Sequence, residues 1–129
     1  MRDVVFPDER QATYEAYGYA AAVRSGGFLF VSGQVGVDAS GAAIPDPAAQ
    51  FRAAFSNLGE VLAAGGCGFD DVVDVATFHV NMHDHFDDFA AAKRAAFPDP
   101  PFPNWTAIGV VELADPDLLL EIKAIAKLP

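Results

Sequence analysis

Between Pro101 and Ala126 the chain carries two short apolar runs, Trp105–Leu113 and Leu118–Ala126, broken at Ala114-Asp115-Pro116-Asp117. That break is a turn signal. Each run is β-branched or Leu-rich and too short for an independent helix, so a pair of strands is expected. A single acid, Glu121, interrupts the second run among Leu118, Leu119, Leu120 and Ile122. An ionised carboxylate among apolar neighbours is costly unless it is hydrogen-bonded or its pKa rises. Glu121 is therefore a candidate functional acid. The alternative is a strand whose Glu121 side faces water beside Lys123, which the period of two allows.

Upstream, Tyr14–Val23 and Phe28–Val37 read as strands joined by Arg24-Ser25-Gly26-Gly27, whose glycines suit a hairpin turn. Asp38–Gly41 is a second turn. Asp46-Pro47 pairs an N-cap with proline at the first helical position. Phe51, Phe55, Leu58 and Leu62 then form one apolar stripe, and Gly65-Gly66 ends the helix. Asp71–Met82 reads as a strand with Val75, Thr77, His79 and Asn81 on one side. A second helix is expected from near His85 to Phe97, stopped by Pro98. The order β-β-α-β-α-β-β gives a mixed α/β (α+β) fold in one domain spanning residues 1–129, with 1–13 an irregular arm. Two helices cover only one sheet face, so a closed oligomer is expected to cover the other. The 52% hydrophobic content of these 129 residues agrees with apolar surface reserved for an interface.

Eighteen acids against eight bases leave a net charge of −10. Without a basic cluster to neutralise phosphates, a nucleic-acid partner is not expected. The one cysteine, Cys67, excludes an internal disulfide and has no basic neighbour in sequence to make it a thiolate. No cationic segment followed by an apolar one opens the chain, and no run of 18 apolar residues occurs. A cytoplasmic protein without membrane contact is expected. His79 and His83 would stand about 13 Å apart on one strand face, too far to share a zinc ion with bonds of about 2 Å. No metal and no cofactor is expected.

Three stretches, Phe30-Val31-Ser32-Gly33-Gln34, Pro101–Thr106 and Leu120–Ala126, resemble the signatures of the RidA/YjgF family. The likeness runs from about Tyr17 to Ala126. It implies a RidA/chorismate-mutase-like homotrimer that hydrolyses small imines or enamines in a cleft between subunits. Glu121 matches the family's acid on the last strand, which handles a proton or positions water. Tyr19 matches the tyrosine of a Gly-Pro-Tyr-Ser segment, although Gly18 and Ala20 replace the flanking Pro and Ser; it is a substrate donor or one more interfacial aromatic. The family's Pro-Ala-Arg-Ser, whose arginine grips the substrate carboxylate, reads Pro103-Asn104-Trp105-Thr106 here. Trp105 thus stands where the arginine is expected, either meeting a flat or uncharged ligand or filling the cavity, with Thr106 offering a hydroxyl beside it. Ser32 and His79 complete the substrate-binding candidates. Ser32 equally suits a bulge with Gly33 and Gln34, and His79 would join them from the oligomer side of its strand. The arginines available to replace the missing clamp are Arg2, Arg10, Arg24, Arg52 and Arg94, none within a family motif. A trimer that binds a metabolite or protein without turnover, and an aromatic-pathway deaminase or tautomerase, are the alternatives.

Overall fold

The computed structural model describes residues 1–129. The order is β1 (Asp3–Val5), α1 (Gln11–Ala16), β2 (Ala22–Ser25), β3 (Phe28–Val35), α2 (Pro47–Ala64), β4 (Val72–His79), α3 (Met82–Ala96), β5 (Asn104–Gly109) and β6 (Leu120–Lys127). The six strands form one sheet in the order β1-β2-β3-β6-β4-β5. Only β4 and β5 run parallel, because the α3 crossover returns the chain beside the strand it left.

Local chemistry explains several boundaries. Gly26 and Gly27, with φ of 60° and 84°, make the two-residue turn between β2 and β3. Asp46 accepts a bond from the Ala49 amide at 2.9 Å, and Pro47 opens α2. At the other end Gly66 turns left-handed, and the Cys67 amide reaches the Leu62 carbonyl at 2.8 Å. The α2 stripe of Phe51, Phe55, Leu58 and Leu62 is buried against Leu29, Val31, Leu120 and Ile122. Each such side chain contributes about 1.5–3 kcal/mol by leaving water. Gln50, also buried, binds the Ile44 and Asp117 carbonyls and accepts from the Leu119 amide, tying α2 to the loop before β6.

Four expectations need correction. Residues 1–13 are not an irregular arm: Asp3–Val5 adds an edge strand to β2, with Arg24 paired to Asp3 at 3.2 Å, and a helix begins at Gln11. Tyr14–Val23 is not one strand; it is the end of α1, a turn at Gly18 (φ 80°) and the start of β2. β5 and β6 are both strands but not partners, since β4 lies between them. Finally, β4 stops at His79 and α3 starts at Met82, because Asn81 takes a left-handed turn at φ 54°.

The helices do cover a single face. On the other lie Phe28, Phe30, Phe78, Ile108 and Ile125, of which Phe78 and Ile125 are half-buried and the rest exposed, Phe30 to 42%.

Candidate active site

The irregularity in β3 opens a cleft. Val31 faces Ala124 and Gln34 faces Ile122, so β3 has one residue more than β6 between these pairs, a bulge at Ser32-Gly33. β2 accompanies β3 only as far as Val31. Beyond it the Pro7–Tyr19 segment forms the wall, with Asn57, Glu60 and Val61 of α2 and the loop Ala114–Pro116 around the rest. The cleft has a volume of about 570 Å³.

Glu121 reaches into this cleft through Gly33. A Cβ built on Gly33 would run into Glu121 Oε2 and lie 2.6 Å from its carboxyl carbon, so the missing side chain is what admits the acid. Across from it stands Tyr19, in edge contact with Tyr14 at 5.1 Å between ring centroids. Burial, then the neighbouring Tyr14, Glu121 and Tyr17, raise the Tyr19 pKa above its ordinary 10.0. The phenol therefore keeps its proton at neutral pH and is a donor. Gln34 Nε2 donates to the Ser32 carbonyl at 3.2 Å and to Tyr14 Oη at 3.4 Å. Ser32 does not present its hydroxyl for a ligand: Oγ donates to the Ala20 carbonyl at 2.7 Å, fastening the residue next to Tyr19.

The other candidates lie elsewhere. Trp105, opposite Val75, is on the helix-covered face. Its ring stacks with Phe86 (centroids 6.4 Å apart), and Lys93 Nζ sits 4.2 Å from its centroid. Its Nε1–H donates to Thr77 Oγ1 at 2.9 Å. Thr77 Oγ1 lies 2.7 Å from His79 Nε2. An indole can only donate, so Thr77 Oγ1 accepts from it and shares a second bond with His79 Nε2, whose direction follows the imidazole tautomer. Burial also lowers the His79 pKa, keeping the ring neutral.

One expectation falls here. His79 does not face the oligomer side; it is 3% exposed and packs edge-on to Phe89 of α3 at 4.5 Å. A period of two identifies which residues share a face but not which face is buried. The polar pair Thr77–His79 was free to go inside because its members satisfy each other and the indole. Within the protomer Glu121 and Trp105 occupy opposite faces of the sheet. Thr106 shares the open face with Glu121, but two strands and two residues away, about 12 Å. Cys67 is buried, and burial first, then Asp71, pushes its thiol pKa up, away from thiolate chemistry.

The cleft contains residues that motif reading did not assign: Arg10, Tyr14, Tyr17, Gln34, Glu60 and Asp115. They come from four separated segments, which only the fold brings together.

A mixed six-stranded sheet, two long helices on one face and an acid-lined cleft at a strand bulge define an α+β domain of the YjgF/RidA type. The model of the family described as Endoribonuclease L-PSP matches residues 9–128, and the chain belongs to this family. The RutC family protein YjgH of Escherichia coli K12 is 49% identical over 128 residues, covering 99% of this chain and 96% of its own. A solved YJGH structure superposes with a TM-score of 0.92 at 48% identity, covering 99% and 97% of the two chains. A 2-iminobutanoate/2-iminopropanoate deaminase of Rattus norvegicus is 35% identical over 86 residues, 65% of this chain and 61% of its own. No helix is long and apolar enough to cross a membrane.

Proposed function

We propose that the protein is a hydrolytic deaminase of small imines or enamines, with the chemistry in the Glu121–Tyr19 cleft. The observation that carries this is the Glu121 carboxyl and the neutral Tyr19 phenol sharing a pocket of small-metabolite size, the carboxyl admitted by a side-chain-free Gly33. The deaminase activity named for the more distant mammalian relatives supports it.

Glu121 would hold a water and accept its proton as the oxygen bonds to the iminium carbon. The C–N bond then breaks, and the proton leaves with the nitrogen. One iminium and one water give one carbonyl compound and one ammonium ion. The Tyr19 phenol would donate to the substrate and fix its orientation. No nucleic-acid role is proposed, because −10 net charge opposes a polyanion.

The working form would be a homotrimer assembled through the open sheet face. Glu121 lies on the same face as Phe30 and Ile125, so a neighbour seated there would shield the acid from bulk water.

A second reading, a metabolite-binding member without turnover, is favoured by one observation. The Trp105 N–H is spent on Thr77, and by the sequence resemblance this is the position where active deaminases of the family carry arginine. Ammonia release from imines generated in situ separates the two readings. Catalysis predicts turnover by wild type and a fall of roughly 100-fold in Glu121→Gln; equal rates for the two proteins would remove Glu121 from the reaction. Binding without turnover would establish the second reading.

A further inference from the structure

We propose that Arg10 is the anion-binding group of the cleft and takes the carboxylate of the substrate whose reacting end lies at Glu121. This rests on the assignment of that cleft as the active site.

Arg10 is the one basic side chain lining it; the other charged walls are Glu60, Asp115 and Glu121. Arg10 is half-buried and forms no ion pair, since the one ion pair of the chain joins Arg24 to Asp3. A guanidinium partly withdrawn from water gains most from a carboxylate partner, which its planar fork meets with two parallel bonds. Three acids line the same cleft, yet none is paired with it and its side chain makes no hydrogen bond within the protein, so the guanidinium is left for a ligand. Its backbone is held in place: the Arg10 amide bonds the Pro7 carbonyl at 3.2 Å, and its own carbonyl accepts from the Tyr14 amide at 3.2 Å. Trp105 offers no substitute from its position on the far face of the sheet.

The charge arrangement also selects the ligand. A simple anion would meet one cation and three acids, whereas a plain cation would meet Arg10. A small acid with a protonated C=N group next to its carboxylate answers both ends, the carboxylate at Arg10 and the iminium at Glu121. Neutral neighbours, the chain's three tyrosines among them, fill much of the rest of the wall.

The probes are 2-oxobutanoate, the keto acid that hydrolysis of the corresponding imine leaves, and its uncharged amide. Binding is followed by the ring signals of Tyr14, Tyr17 and Tyr19 in magnetic-resonance titration. Wild type should prefer the acid to the amide. Arg10→Gln should weaken the acid about tenfold or more and leave the amide unchanged, while Arg10→Lys should keep part of the preference. Glu121→Gln should retain the acid preference while losing turnover. A wild type that takes acid and amide alike, or an Arg10→Gln protein that binds the acid as wild type does, overturns the assignment. Absence of ammonia release would count against the deaminase reading alone, because the binding comparison needs no turnover.

Discussion

Gly33 has no side chain, and the carboxyl of Glu121 fills the space a Cβ there would need. The φ of Gly33 is not in the left-handed region, so alanine meets no backbone objection. The atoms it would displace are the far end of a flexible glutamate, not backbone. Gly33→Ala should therefore fold, with a thermal midpoint within about 5 °C of wild type. Turnover should nevertheless fall roughly 10–100-fold, because the acid is pushed from its place. Intact activity in that variant would show that the position of Glu121 does not matter to the reaction. The same exchange explains why a short polar stretch in β3 carries so much: Ser32 fastens Ala20, Gly33 admits Glu121, and Gln34 holds Tyr14.

The contact of β4 and β5 with α3 is an apolar layer with a thread of polar atoms through it, from the Trp105 N–H by way of Thr77 to His79. Burial holds the His79 pKa below its ordinary 6.5. At pH above 6.5 the ring is neutral folded and unfolded and adds nothing to the pH dependence. Below it the unfolded chain binds a proton that the folded chain refuses, so stability falls as the pH drops toward the folded-state pKa. The slope from one such group is at most about 1.4 kcal/mol per pH unit. His79→Gln, which can still hydrogen-bond Thr77, should flatten the wild-type slope in urea titrations run from pH 7.5 to 5. Parallel curves for the two proteins would mean that His79 is charged in the folded state. Trp105 belongs to this layer, its indole packed against Phe86 and Phe89 of α3.

One sheet face is packed under the helices, and the other leaves Phe28, Phe30 and Ile108 exposed beside the half-buried Phe78 and Ile125. A face of this kind is what assembly through identical copies would bury. Phe30 stands between Val23 on β2 and Ile125 on β6, near the middle of that surface. Sedimentation should give wild type about three times the 13.6 kDa chain mass, and Phe30→Asp should reduce it to one. The substitution removes about 1.5–3 kcal/mol of apolar burial from each copy and buries a charge besides. A monomeric wild type would overturn the trimer and leave the cleft of a single protomer as the whole site.

Much of this was legible from residue order because it depends on neighbours in the chain. The Asp46-Pro47 start, the Gly65-Gly66 stop, the Gly26-Gly27 turn and the α2 stripe are local chemistry, and each stands where reading places it. Glu121 was visible as an acid inside an apolar strand. The side of the sheet on which a residue lies was not legible, since alternation has the same period whichever face is covered; hence the misplacement of His79. The N-terminal strand was also hidden, because three residues acquire that conformation only by pairing with β2. The cleft depends on contacts far apart in sequence. Pro7–Tyr19, the β3 bulge, one flank of α2 and Glu121 meet only when the sheet closes its order, and that meeting puts Arg10 and the acid in one cleft.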